Sequence, residues 1–263
     1  MKAINLASLQ AMKSAKEKFA VITAYDASFS RLAELAGIEV VLVGDSLGNV
    51  VLGHDSTVPV TMDDMIHHTL AVARGNSKSL IIADLPFMAY ASEHQALDNA
   101  AALMQAGAQM VKLEGGAWLE ETVQLLTERG IPVCAHLGLT PQSVHKLGGY
   151  RVQGKDDEAA AQILSDALLL QDAGADLLVL ECVPAPLAAQ ISEALFIPVI
   201  GIGAGAGTDA QVLVIYDMLG ISPRQPRFSR NFLVGADSVL GALEAYASAV
   251  RSGQFPEAEH SFK

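Results

Sequence analysis

A chain of 263 residues, 51% hydrophobic and 17% charged, is long enough to bury one sizeable core. Its net charge of −12, with no basic stripe, excludes nucleic acid as a natural partner; an anionic ligand would need a local Lys, Arg or metal. No stretch approaches the ~20 unbroken apolar residues of a membrane span, and the first residues lack the apolar core of a signal peptide, so a cytoplasmic chain with no membrane partner is expected.

The N-terminal stretch "MKAINLASLQAMKSAKEKFA" reads as a short amphipathic helix. Apolar runs rich in Val, Ile and Leu then recur along the chain. They are "FAVITAYD" (19–26), "VVLVGD" (40–45), "SLIIADLP" (79–86) and "MVKLEG" (110–115). "IPVCAHLG" (131–138), "DLLVLEC" (176–182), "IPVIGIGAG" (197–205) and "QVLVIYD" (211–217) complete a set of eight expected strands. Helix-like stretches lie between them, and most stop at glycine just before the next strand. Thr61 is the expected N-cap of "TMDDMIHHTLAVARG", whose first turn carries aspartates.

Alternation at ~30 residues per unit predicts parallel βα units, and eight of them fit the ~250 residues of a closed (β/α)8 TIM barrel. An α/β barrel of one domain over 1–263, with a helix before its first strand, is therefore expected. The segment after strand one, "TAYDASFS", lacks the glycine-rich loop of a dinucleotide fold. Two irregular stretches, 137–156 and 218–234, follow strands and suit lids or oligomer contacts. Cys134 and Cys182 each lie in an apolar run and read as buried free thiols of a reducing compartment.

Several of these strands end in carboxylates: Asp45 on strand two, Asp84 on three, Glu114 on four and Glu181 on six. Any one of them could merely cap the next helix. In a barrel, however, strand C-termini share the face that holds the active site, so four acids would converge there. Clustered carboxylates stay ionised only when a cation compensates them, and all-oxygen donors favour Mg2+. Lys112 lies two residues before Glu114, on the same side of a regular strand, where it meets either a substrate carboxylate or one of the acids. Ser46 and Gly48 make a polar turn able to offer donors to an anion. His136 ends strand five, either as a structural hydrogen-bonder or as a catalyst. The glycines of "GIGAG" allow close approach of the backbone to a ligand. Mg2+ beside a lysine suits a small oxo acid, with the ion stabilising the enolate that forms on deprotonation. Glu181 stands apart from the metal acids, and its apolar setting favours proton uptake, so it is the expected base.

Longer motifs sharpen this reading. "VLVGDSLGNVVLGHDSTVPVT", "ADLPFMAY", "GAQMVKLEGG", "VCAHLGLTPQSV", "GGYRVQG", "LLVLECVP" and "PVIGIGAG" resemble those of the ketopantoate hydroxymethyltransferase family, over practically the whole chain. The resemblance implies a (β/α)8 barrel that binds Mg2+. It also implies transfer of a hydroxymethyl group from 5,10-methylenetetrahydrofolate to 3-methyl-2-oxobutanoate, giving 2-dehydropantoate for pantothenate synthesis. By the matching motifs, Asp45, Asp84 and Glu114 would be the metal acids. Asp45, Ser46, Asp84 and Lys112 would contact the oxo acid, and Glu181 would accept the proton. A homo-oligomer, as large as a decamer, is implied as well. Ala210 and Tyr216 depart from the family pattern around strand eight, outside the metal and base positions. Two competing readings are a carbon–carbon lyase of the phosphoenolpyruvate mutase and isocitrate lyase group, and a non-catalytic oxo-acid sensor. The "KKCGH" loop of the isocitrate lyases is absent, and the presence of Glu181 argues against a sensor.

Overall fold

A computed structural model describes residues 2–263. Eight parallel strands close on themselves in sequence order: β1 (Phe19–Thr23), β2 (Val40–Val43), β3 (Leu80–Asp84), β4 (Met110–Glu114), β5 (Val133–Gly138), β6 (Leu177–Glu181), β7 (Val199–Ile202) and β8 (Ala210–Leu213). β8 returns to β1, pairing Phe19 with Ala210 and Val21 with Val212. The expected TIM barrel is present.

The helices are α1 (Leu6–Ser14), α2 (Ala27–Leu35), α3 (Leu47–Val50), α4 (Met62–Gly75), α5 (Glu93–Gln105), α6 (Glu120–Glu128), α7 (Val144–Leu147), α8 (Asp157–Asp172), α9 (Ala185–Ala194), α10 (Ile215–Met218) and α11 (Val239–Arg251). Helix starts follow local chemistry. Thr61 caps α4, accepting from the Asp64 N–H while Asp64 accepts from the Thr61 N–H, a reciprocal box. Asp26, Ser92, Asp156 and Ser238 cap α2, α5, α8 and α11 in the same way through one side chain each. Gly37 and Gly174, just past α2 and α8, adopt positive φ (76° and 107°), which suits glycine alone at low cost. Gly75 behaves differently. It stays helical at the end of α4, where the backbone of Ala27 presses against its Cα and leaves no room for a side chain.

The apolar residues form two layers. One lies between the sheet and the helices, around residues such as Val41, Val111, Leu180 and Tyr246. The other fills the barrel, where alternate strand residues point inward: Val40 and Leu42, Leu80 and Ile82, Leu177 and Val179, Ala210 and Val212. Helix α1 seals the N-terminal end, with Leu9 fully buried in this inner layer. The helix expected from the first twenty residues is therefore the barrel's bottom plug. At the seam, the Tyr246 hydroxyl of α11 lies within 2.9 Å of the carbonyls of Val21 in β1 and Gln211 in β8.

Two strands are shorter than the apolar runs suggest. β7 stops at Ile202 because Gly203 and Gly205 turn with φ of 60° and 76°. The expected strand over 211–217 ends at Leu213, and the chain coils into α10. Ile215, Met218 and Leu219 are buried at helical spacing there, so period 3.6 wins over period 2.

Candidate active site

The alternation that fills the barrel with apolar side chains changes character at its C-terminal mouth. Continuing the inward positions by two residues gives Leu80–Ile82–Asp84 on β3, Met110–Lys112–Glu114 on β4, Cys134–His136 on β5 and Leu177–Val179–Glu181 on β6. Register then sets neighbours side by side: Asp84 beside Lys112, and Glu114 beside His136. Asp45 comes from the turn after β2, and its N–H donates to Asp84 Oδ2 at 3.0 Å. The acids expected to converge do so, and Lys112 and Glu114 share the barrel side as their spacing implies.

These groups are almost completely buried. Lys112 Nζ lies 3.2 Å from Asp84 Oδ2, 3.5 Å from Glu114 Oε1 and 3.2 Å from His136 Nδ1. Of the two partners that sequence left open for Lys112, the structure supplies the acids. His136 Nδ1 is also 3.2 Å from Glu114 Oε1, and its Nε2 faces Glu181 Oε2 at 3.4 Å without hydrogen-bonding alignment. Glu181 is the least enclosed of the set, its side chain 14% exposed to the cavity.

One residue central to the site carries no sequence signal. Gln142 follows Pro141 in the irregular segment after β5. Its Nε2 donates to Asp45 Oδ2 at 2.8 Å and to the Leu85 carbonyl at 2.9 Å. Its Oε1 accepts from the Tyr90 hydroxyl at 2.5 Å, and its N–H donates to Glu114 Oε2 at 3.0 Å. Gln142 thus joins three of the acid-bearing strands. Only the proline–polar cluster of "LTPQS" marks a turn there, and nothing in it marks contact with a carboxylate.

Electrostatics sort the three acids. Burial pushes the Asp45 carboxyl well above the usual range, and the charges of Glu114 and Asp84 add to it. Burial also raises Asp84, with Lys112 opposing. Glu114 is pulled up by burial too, yet Lys112, His136 and the Gln142 N–H outweigh that, and it is held low. Burial works against the Lys112 charge, but Asp84, Glu114 and Asp45 more than compensate and its value rises. At His136, burial and Lys112 push the ring down, while Glu114 and Glu181 push harder, to about 9.

Among the described residues, no three His, Cys, Asp or Glu side chains form a ready set of metal donors. Lys112 already serves Glu114 and one oxygen of Asp84. The other, Asp84 Oδ1, is buried with no hydrogen-bond partner. An orphaned carboxylate oxygen next to a second under-compensated carboxylate is the donor chemistry of a hard divalent cation, so Asp45 and Asp84 fit Mg2+.

The remaining expectations divide. Ser46 lies at the mouth with Asp45, its Oγ 2.9 Å from the Tyr25 hydroxyl. The "GIGAG" glycines admit the protein's own groups. A Cβ on Gly203 would come within 3.1 Å of Phe228 and 3.0 Å of Phe262, and Gly205 backs onto Ala185. Ala210 is buried inside the barrel, while Tyr216 packs beside Tyr25 and Phe29. Cys134 and Cys182 are buried free thiols. No described helix is long and apolar enough to cross a membrane. The mouth opens into a cavity of about 1170 Å³ bounded by Asp45, Asp84, Lys112, Glu114, His136 and Glu181 at its floor.

A closed parallel barrel with its buried charges gathered at the C-terminal mouth defines a (β/α)8 enzyme. Comparison with known proteins narrows the class. Residues 3–258 match the model of the ketopantoate hydroxymethyltransferases. The 3-methyl-2-oxobutanoate hydroxymethyltransferase of Saccharophagus degradans is 61% identical over 99% of this chain and 97% of its own length. That of Escherichia coli O127:H6 is 59% identical over the whole of both chains. The chain belongs to the ketopantoate hydroxymethyltransferase family and is an enzyme of the transferase class. Among solved structures, phosphoenolpyruvate phosphomutase from Streptomyces platensis shares the fold, with a TM-score of 0.63 at 14% identity over 82% of this chain and 83% of that one.

Proposed function

We propose that this enzyme transfers a hydroxymethyl group from 5,10-methylenetetrahydrofolate to 3-methyl-2-oxobutanoate, giving 2-dehydropantoate for pantothenate synthesis. The observation that carries the reading is a division of labour among carboxylates. Asp45 and Asp84 lie together at the floor, with Asp84 Oδ1 buried and unpartnered, while Glu181 stands apart and faces the cavity. Family relatives bearing the hydroxymethyltransferase name support the substrate assignment.

In this reading Asp45 and Asp84 hold Mg2+, with Glu114 the third acid of the set. When bound, the cation supplies positive charge that polarises the keto group and acidifies the neighbouring carbon. Ser46 Oγ and the Lys112 ammonium hold the oxo acid, together with Asp45 and Asp84. Lys112 is pinned between Asp84 and Glu114, so its charge is preorganised rather than recruited. Glu181 takes the proton from C3 and is neutralised, so the negative charge passes to the keto oxygen of the substrate, and His136 lies beside the Glu181 carboxyl at 3.4 Å. Water adds to the methylene bridge of the folate and both of its C–N bonds break, which releases tetrahydrofolate and leaves the carbon at the formaldehyde level. The carbon nucleophile adds to it, and the oxygen that came from water takes up a proton to become the hydroxyl. The apolar walls at Leu42, Val179 and Ile202 keep bulk water from the reacting carbon. We further place the chain in the cytoplasm, folded as one domain over 1–263 and assembled as a homo-oligomer.

Proton abstraction can be read without the folate. Wild-type enzyme with Mg2+ should exchange the C3 hydrogen of 3-methyl-2-oxobutanoate for deuterium, and chelation should stop it. Glu181→Gln should slow exchange by about 10²–10⁴-fold, with oxo-acid affinity by calorimetry within about threefold of wild type. Near-normal exchange by Glu181→Gln would overturn the base assignment.

A further inference from the structure

The oxo acid and its cation require only the floor of the cavity, yet the space above them is large. Its 1170 Å³ exceeds the ~300–1,000 Å³ that encloses a drug-sized ligand. The lining changes twice toward the mouth. Around the acids the barrel wall is apolar, at Val179, Ile202 and Val212, and beyond it Phe228 and Phe262 pack over the bare backbone of Gly203. Next, the segment that follows β8 brings two arginines to the cavity, Arg224 and Arg227.

Their surroundings set these two apart. Arg230, a few residues on, is held by Glu257 at 3.4 Å. Arg224 and Arg227 have no carboxylate partner among the described residues. Arg227 is fixed by its Nε, which donates to the Glu259 carbonyl at 3.0 Å, and by stacking of its guanidinium 5.4 Å from the Phe262 ring centre. That arrangement leaves the outer guanidinium nitrogens available. Lys112 and His136, the other basic residues lining the cavity, are engaged with acids at the floor. In a chain of net charge −12, a pair of uncommitted arginines above an apolar, aromatic wall is a local reversal of sign. Guanidinium groups bind carboxylates through paired N–H donors, and aromatic walls accept flat rings.

We propose that Arg224 and Arg227, with Phe228 and Phe262, form the subsite for the glutamate tail of the one-carbon donor. The ligand class is a flat, reduced pteridine joined through an aryl group to a chain of carboxylates. Its reactive end points down toward Glu181 and its anionic tail lies at the arginines. This rests on the reading that a reduced folate is the donor. Each further γ-linked glutamate adds carboxylates near Arg224 and Arg227, so donors with longer tails bind more tightly.

The test compares three donors: methylenetetrahydropteroate, which lacks glutamate, and methylenetetrahydrofolate with one or with several glutamates. Arg224→Gln and Arg227→Gln should each raise KM for the glutamate-bearing donors by about three- to tenfold, more for the longer tail, with kcat little changed. KM for the pteroate donor should not move. Added salt should raise the wild-type KM for folate and affect the double variant less. Arg224→Gln removes no intramolecular ion pair, so it reads the charge even where Arg227→Gln loosens the loop; Arg227→Lys should recover most of the loss. Equal KM changes for pteroate and folate, or none for any donor, overturn the subsite. Folate-free deuterium exchange separates this from the wider reading. A wild-type enzyme that exchanges C3 deuterium but transfers nothing from folate sinks the donor assignment and the subsite with it. Normal transfer with variants indistinguishable from wild type sinks the subsite alone.

Discussion

Replacing Gln142 with leucine keeps roughly the side-chain volume and deletes every polar contact its amide makes. Loss of the bond to Asp45 Oδ2 at 2.8 Å is the largest, about 1–3 kcal/mol, because it leaves a buried carboxyl oxygen without its donor. The bonds to the Leu85 carbonyl and from Tyr90 are neutral, each about 0.5–1.5 kcal/mol. Tyr90 recovers part of its share, because its hydroxyl also reaches the Glu114 carbonyl at 3.1 Å. The net expectation is a loss of about 3 kcal/mol, which in a chain of this size lowers Tm by roughly 6–12 °C. Denaturant titration of both proteins without Mg2+ measures the first figure and calorimetry the second. The same substitution frees the Asp45 carboxylate to rotate, so Mg2+ affinity by isothermal titration should weaken about tenfold or more, the usual cost of losing a partner that orients a ligand. A stability loss below about 1 kcal/mol with unchanged Mg2+ affinity would show that Gln142 does not organise the acids.

Three further outcomes follow from geometry elsewhere. Hydrogen bonds from the Thr61 hydroxyl and N–H hold the Asp64 carboxyl below its ordinary value, so its contribution is full above the unfolded value near ~4 and fades as pH falls through the folded one. Asp64→Asn should therefore flatten stability measured from about pH 6 down to about pH 3; an unchanged slope would refute the capping role. Burial pushes the Cys134 thiol up to about 12 and raises Cys182 as well, with Glu181 adding to the latter. Neither should react with a thiol reagent at about pH 8 unless the chain is unfolded, and rapid native labelling of either would contradict the burial seen here. Leu9→Ala should cost about 2–5 kcal/mol in chemical denaturation by opening a cavity under the barrel, and a neutral result would mean α1 is not part of the core.

What sequence reveals here follows the rigidity of the element concerned. Lys112 and Glu114 share a regular strand, so their two-residue spacing already places them on one side. Asp84 and Glu181 end apolar runs, which puts them at the mouth once the barrel is inferred. Partner choice is less legible, because it depends on register between strands distant in the chain. The pairing of Asp84 with Lys112 and of Glu114 with His136 becomes visible only when β3, β4 and β5 lie side by side. Gln142 is hidden for another reason: it reaches Asp45 across 97 residues from a turn with no periodicity. The same holds for Arg224 and Arg227, whose loop acquires meaning from where β8 ends. The run at 211–217 misleads because Ile215 and Met218 suit either a strand or one helical turn, and burial of both on one helical face decides.

The stopper that Leu9 and its neighbours place under the barrel has a kinetic corollary. A well closed at the base admits traffic from one side only, so the reactants queue. On the proposed assignment the oxo acid lies deepest and the bulky donor settles above it like a cork. The small acid must then go in before the donor, and its product can escape only after the spent carrier has gone. Steady-state patterns should show that compulsory order, with excess donor closing the way down to the oxo acid.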